Sequence, residues 1–424
     1  MPSAQTRAAG GKTAVIQSGG GAKGAYALGI MRALFTGASP ATGHRPIDPE
    51  IFTGTSVGAY NSAIQASQPS MSAVQTLDYL ERIWRQRIAN TLGGCGNGVF
   101  RLRGLPIQEL EPACFLHPIS SMTQFAFDSV YLANQAMIRA VRFAASDMPL
   151  PGRLIEIPDI SAFFDPLPMR SLIWSTVDLD GLRRSSKELA VATSDWVAGT
   201  TRLFWKDEIV AHGEVDAIVA STAIPGVFPP VDIHGVPYVD GALTMNTPLK
   251  PAIRAGAEVL HVIYLDPLSA HAPTSRYTST FEVLTRTFSI LNAEQIRSDL
   301  RKAERINQGL AILRGETRIP EDAGELLGRL PIIAEIQRQM ASQPRRPLVI
   351  HRYLPEGILA DGAEVLNFSI DHINSLIEQG YQDAVNHDCE ASGCVVPEPT
   401  RDARRSTPRP AVPLGPKRER IGIR

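Results

Sequence analysis

Three short stretches carry residue types that could do chemistry together. The first is Ser18-Gly19-Gly20-Gly21-Ala22-Lys23-Gly24. Consecutive glycines let backbone N–H groups converge, because no Cβ blocks the approach. A helix N-terminus behind them adds positive potential. Such a loop holds negative charge, either a phosphate or an oxyanion that exists only during reaction. The second is Gly54-x-Ser56-x-Gly58, the pattern that sets a serine on a sharp strand-to-helix turn and exposes its hydroxyl as a nucleophile. The third is Tyr238-Val239-Asp240-Gly241-Ala242. Asp-Gly is also an ordinary turn dipeptide. Asp240 becomes a candidate base because the other two features need one.

Each stretch has a rival reading. Gly19, Gly21 and Gly24 formally satisfy G-x-G-x-x-G, so a nucleotide-binding oxidoreductase is an alternative. That fingerprint requires a second strand ending in an acidic residue. The nearest acid, Asp48, lies between Ile47 and Pro49 in a loop-like stretch. A nucleotide P-loop would need Ser or Thr after Lys23, where Gly24 stands. Lys23 reads as a solvated first-turn residue in preference to a contact for an anionic head group. A histidine could complete a triad. His261 follows Asp240 but lies in an apolar strand, and reads as a hydrogen-bonded core histidine. His234 decorates a hairpin. His387, Cys389 and Cys394 invite a zinc reading. No second pair of ligands has suitable spacing, so Cys389 and Cys394 read as plain surface cysteines.

The elements that must position these residues follow from periodicity. Residues 13–17 form a short β-branched run, a buried strand ending in the glycine loop. Residues 22–35 place Tyr26, Ile30 and Leu34 on one helical face. Ile51-Phe52 leads into the serine motif, and residues 59–66 are small helix formers. Residues 71–88 and 369–385 have amphipathic helical spacing. Short strands are predicted at 171–177, 187–193 and 201–205, a helix at 215–223 and a hairpin at 231–239 around Gly235. Residues 258–265 read as a central strand. Helices are predicted at 278–308 and 325–339. The stretch from 91 to about 165, with a helical segment at 125–143, reads as an insertion.

Composition narrows the class. The chain has 424 residues, with 44% hydrophobic and 20% charged, so it is not disordered throughout. Lys plus Arg is 42 against 43 for Asp plus Glu, so no global basic field attracts nucleic acid. Four cysteines, Cys95, Cys114, Cys389 and Cys394, are too sparse for a disulfide scaffold and suggest a reducing compartment. No apolar leader and no run of about 18 apolar residues is present, so a cytoplasmic location is expected. From residue 397 onward, six prolines and eight Lys or Arg stand against three Asp or Glu, and disorder is expected.

Taken in order, the three stretches resemble the motifs of the patatin-like phospholipase family. Gly19-Gly20-Gly21-Ala22-Lys23-Gly24 is similar to its oxyanion block, Gly54-Thr55-Ser56-Val57-Gly58 to its nucleophile motif, and Asp240-Gly241-Ala242 to its Asp-Gly-Gly/Ala motif. Secondary matches are Phe164-Asp165-Pro166-Leu167-Pro168, Ser221-Thr222-Ala223-Ile224-Pro225 and Phe228-Pro229-Pro230. Ser18 departs from the pattern, standing where many members have Asp. The resemblance implies an α/β fold of three layers. A mixed, mostly parallel sheet lies at its centre, with an inserted helical region and C-terminal helices. It implies residues 12–388 as the patatin-like domain, interrupted by an insertion at 89–165 that could be a lid or face a membrane. Residues 1–11 would be a flexible N-terminus and 389–424 a disordered tail. It implies a Ser56–Asp240 dyad cleaving lipid esters through an acyl-enzyme. Gly19, Gly20, Gly21 and Ala22 would form the oxyanion hole, with Lys23, Gly24, Gly54, Gly58 and Gly241 as structural motif residues. No metal, cofactor or nucleic-acid partner is implied, and peripheral membrane contact is. A non-catalytic lipid-binding protein is the remaining alternative. Asp240 would have to be largely dry to act as a base near neutrality.

Overall fold

Strand alternation decides which side of the central sheet each residue buries. In the first strand, Val15 packs on one face while Ala14 and Ile16 pack on the other. The computed structural model describes residues 11–89, 97–103, 118–150, 164–213, 215–267, 280–313, 347–355, 357–360 and 362–396. Its main sheet comprises β1 (Lys12–Gln17), β2 (Ile51–Thr55), β3 (Glu188–Asp195), β4 (Thr200–Trp205), β5 (Val231–Ile233), β6 (Val236–Asp240), β7 (Ala257–Ile263) and β8 (Val349–Tyr353). The order is β8-β7-β1-β2-β3-β6-β5, with β4 on the other edge of β3. The run from β8 to β3 is parallel, and β4, β5 and β6 are antiparallel to their neighbours. This is the expected mixed, mostly parallel α/β sheet with helices on both faces.

The helices are α1 (Gly24–Thr36), α2 (Val57–Ala66), α3 (Ala73–Ile83), α4 (Pro118–Ala145), α5 (Leu167–Thr176), α6 (Leu179–Arg184), α7 (Lys206–His212), α8 (Asp216–Ser221), α9 (Leu249–Arg254), α10 (Thr280–Leu313) and α11 (Ile370–Val385). The larger core joins α1, α2, α3, α5 and α11 to the Val15 face. The smaller core sets α9 and Ile296 of α10 against Ala14, Ile16, Leu260 and Ile350. α1 and α11 cross with backbones touching at glycines. A Cβ on Gly29 would fall 1.9 Å from the Ile377 carbonyl oxygen, and one on Gly380 would fall 2.0 Å from that of Tyr26.

Two expectations change. Residues 171–177 are not a strand. They fall mostly in α5, where Met169, Leu172, Ile173 and Thr176 bury one helical face after Pro166. The β-branched content suggested a strand, but the i, i+3, i+4, i+7 burial wins. Residues 389–396 of the expected tail are folded, since Cys389 to Val396 folds back on β8 and Val395 bridges Ile350. The strand β8 was not foreseen. The helix predicted at 325–339 lies outside the described residues, as do residues 1–10 and most of the expected tail.

The described residues between 97 and 165 are joined to one another by charge. Arg101 pairs with Asp128 of α4 at 2.5 Å and with buried Asp165 at 2.7 Å, and Arg103 pairs with Asp165 at 3.0 Å. Phe100, Phe164 and Phe228 pack their rings together, and Phe100 also meets Phe368. Yet α4 keeps much of its apolar side out of the core. Phe125 is 54% and Phe127 72% exposed, and Val130, Met137 and Val141 are exposed too.

Candidate active site

Sheet register brings Ser56 and Asp240 together. Thr55, the last residue of β2, pairs with Ala192 of β3. Asp240, the last residue of β6, pairs with Thr193, the next position along the same strand. β4 occupies the opposite edge of β3 over residues 190–195, so β2 and β6 must share one edge, end to end. Ser56 follows Thr55 at that junction. Residues far apart in the chain thus meet because β3 outruns β2.

Ser56 stands between β2 and α2 with φ 55° and ψ −128°. A side chain held there is strained, at a cost on the order of 1–3 kcal/mol. The tight turn needs its flanking glycines. A Cβ on Gly54 would lie 2.2 Å from the Gly58 carbonyl oxygen, and one on Gly58 would lie 2.4 Å from that of Gln17. The Ser221 hydroxyl locks the turn. It accepts the Ser56 N–H at 2.8 Å and donates to the Ala192 carbonyl at 2.7 Å.

Asp240 is buried. Its Oδ1 accepts the Ala242 N–H at 2.8 Å, and the Ser56 side chain lines the same cavity. Gly241 opens the turn that supplies this amide and presses against the Ala192 carbonyl. Burial raises the Asp240 pKa from its ordinary 3.8 to about 7, and the neighbouring Ser56 hydroxyl and Ala242 N–H only partly offset that rise. The dryness required of the carboxyl group is present.

Gly19, Gly20, Gly21, Lys23, Ser56 and Asp240 line one cavity. Not all the expected oxyanion donors are available there. The Gly19 N–H is taken by Asn246, whose side-chain oxygen lies at 3.0 Å. Ala22 is fully buried and does not line the cavity. Gly20 and Gly21 stand at the head of the short 3-10 turn Gly21–Lys23, where leading amides have no acceptor within the turn. Gly24 abuts Val57 of α2 and so lets α1 pack closely against α2. Lys23 is buried and paired with Asp266, not solvated as expected. Ser18 meets the Thr247 hydroxyl at 2.8 Å.

Histidine takes no part in this cavity among the described residues. His261 is a core residue, as expected, with Nδ1 3.1 Å from the Tyr353 hydroxyl. Burial, with His351 and His387 nearby, lowers its pKa well below the ordinary range. His234 sits at the β5–β6 turn. The second strand, β2, ends in Thr55 and not in an acid, and Asp48 is instead paired with Lys187.

The chain matches the patatin-like phospholipase family over residues 15–253, a span that contains Ser56, Asp240 and the glycine block. The chain belongs to the patatin-like phospholipase family. Membership places this patatin-like protein among lipid acyl hydrolases. No curated protein matches it. Among solved structures, VipD from Legionella pneumophila matches at 14% identity with a TM-score of 0.32, covering 87% of this chain and 67% of that one.

Several residues of the site were missed from sequence. Asn246, Asp266 and Asn292 all line the cavity. Asn292 is buried, and its Oδ1 has no hydrogen-bond partner among the described residues. Ser221 belongs to the secondary match Ser221–Pro225, whose sequence marks no role for it. A second, more apolar cavity shares Gly21, Ser56 and Ile224 with the first and runs between Trp84, Met169, Phe228 and Phe368. No metal-ligating cluster lies in either cavity among the described residues; one lies elsewhere, beyond α11.

Proposed function

We propose that this protein hydrolyses carboxylic esters of lipids with Ser56 as nucleophile and Asp240 as base. The observation that carries the reading is that Ser56 and the buried carboxyl group of Asp240 line one cavity with Gly20 and Gly21. The Ser56 oxygen attacks the ester carbonyl carbon while its proton passes to Asp240. The tetrahedral oxyanion is held by the Gly20 and Gly21 N–H groups, each such donor being worth about 3 kcal/mol. Asp240 then gives the proton to the departing alcohol, leaving Ser56 acylated. A water, deprotonated by Asp240, attacks the acyl carbon, and the fatty acid leaves as the proton returns to Ser56. A carboxyl group titrating near neutrality suits this shuttle, because it is both a usable base and a usable acid.

The two cavities meeting at Ser56 divide the substrate. The cleft between Trp84, Met169, Phe228 and Phe368 takes the acyl chain. The other side carries the Lys23–Asp266 pair and the unpartnered Asn292 oxygen, and takes the alcohol portion. A buried carbonyl without a donor favours an alcohol that brings one, such as a glycerol hydroxyl or an ammonium group. The exposed apolar residues of α4 supply contact with the lipid surface. No described helix is long and apolar enough to cross a membrane.

A fluorophosphonate probe tests the nucleophile, and mass spectrometry of products from a mixed lipid extract tests the substrate. Labelling at Ser56, with free fatty acid released by wild type and not by Ser56→Ala, is the expected result. Ester hydrolysis by Ser56→Ala at the wild-type rate would defeat the proposal. No labelling together with tight nucleotide binding would favour the oxidoreductase reading.

A further inference from the structure

The described residues contain one grouping of histidine and cysteine side chains with the geometry of a metal site. His351 lies in the middle of β8. His387 follows the end of α11, and Cys389 and Cys394 follow it in turn. One ligand atom from each lies within 4.8 Å of all the others. Cys389 Sγ is 3.4 Å from His351 Nδ1 and 3.4 Å from His387 Nε2, and Cys394 Sγ is 3.4 Å from the same His387 nitrogen. A regular tetrahedron with metal–sulfur bonds of about 2.3 Å and metal–nitrogen bonds of about 2.0 Å has sulfur–nitrogen edges of about 3.5 Å. The side chains are therefore already spaced for an ion at their centre.

The surroundings fix these four groups rather than leaving them to swing. The Cys394 N–H donates to the Cys389 carbonyl at 2.9 Å, closing a tight loop in which Gly393 has φ 61°. The Arg352 N–H donates to Cys394 Sγ at 3.3 Å, the kind of bond that supports a thiolate ligand. The His351 ring stacks on that of His261 at 5.1 Å, and His387 packs on Tyr353 at 4.7 Å.

We propose that His351, His387, Cys389 and Cys394 form a zinc site of the two-cysteine, two-histidine type. Four protein ligands fill a tetrahedral shell and leave no open position, so the site is structural and not catalytic. Thiolate and imidazole donors select zinc over magnesium or calcium, which take oxygen. The ion fastens the segment after α11 to β8, far along the fold from Ser56. The sequence lacked a fourth ligand for Cys389 and Cys394 because that ligand, His351, comes from a strand and reaches the others through the sheet.

The test uses the full chain without a histidine tag, produced in zinc-supplemented medium. Elemental analysis should give about one zinc per chain, as a closed four-ligand site requires. Cys389→Ser and His351→Ala should each lose most of it. Cobalt exchanged into the wild-type protein should give thiolate-to-cobalt charge transfer in the near ultraviolet and strong tetrahedral bands in the visible. That readout stands even if a variant fails to fold. Wild type that neither carries nor takes up stoichiometric metal would overturn the proposal. So would variants that keep full zinc content, or an intact mass lowered by the loss of both thiol hydrogens with Cys389 and Cys394 joined in one disulfide.

Discussion

At the scale of residues, the decisive quantity is the protonation of Asp240. Its pKa is raised to about 7 by burial, so between about pH 4 and pH 7 the folded chain holds a proton that the unfolded chain has released. The unfolded state binds fewer protons across that window. This group's contribution to stability therefore falls as pH rises through it and stays low above it. Asp240→Asn removes the charge while keeping an oxygen for the Ala242 N–H. The variant should gain stability over wild type at pH 8, on the order of a few kcal/mol, with the difference vanishing near pH 4. Urea denaturation at the two pH values measures this; an equal difference at both would show that the carboxyl group is not desolvated. The same variant should lose ester hydrolysis by orders of magnitude. In wild type, kcat/KM should rise about tenfold per pH unit below about 7 and level off above it. Ser56, Asp240 and the glycines were legible in the sequence because each sits in a short motif whose local geometry dictates residue type. Asn246 and Asp266 were not, because they act through side chains brought in by distant loops, and nothing local marks them. The glycine block itself promised more donors than it has, since only coordinates show that Asn246 occupies the Gly19 amide.

At the scale of elements, the contrast lies between α11 and α4. Both are amphipathic. α11 spends its apolar face on α1, where Gly29 and Gly380 allow backbone contact. α4 does not spend its face: Asp128 is buried through its pair with Arg101, while Phe125 and Phe127 stay exposed. An apolar helix face left open on a member of a lipid-hydrolase family points to an interface. Flotation with anionic liposomes should carry the wild-type protein to the top, and Phe125→Ser with Phe127→Ser should leave most of it at the bottom. Hydrolysis of a short, water-dissolved ester should be nearly unchanged in that double variant. Equal flotation of both proteins would remove α4 from the proposed membrane contact. Periodicity made α11 readable, since a helix packed on one side writes a 3.6-residue rhythm. It failed for α5, where Ile173, Thr176 and Val177 look like strand residues and only their burial pattern reveals the helix.

At the scale of the molecule, the sheet has a vulnerable border at β8. Its outward amides are both occupied by the segment after α11: Ile350 exchanges bonds with Val395 at 2.8 and 2.9 Å, and Arg352 donates to Cys394. A chain ended after Asp388 would uncover that row. Light scattering should show such a truncated protein forming large species under conditions where one ended after Val396 does not. Identical scattering would mean that β8 needs no cover. The sequence suggested the core strands through their apolar runs, but not this border, because its closure depends on a few residues that look like the start of a linker. The closure also makes proteolysis in this region a matter of position. A protease cutting beyond Val396 leaves the border sealed, whereas one cutting just before Cys389 turns the remainder into a template on which further copies can add strand by strand.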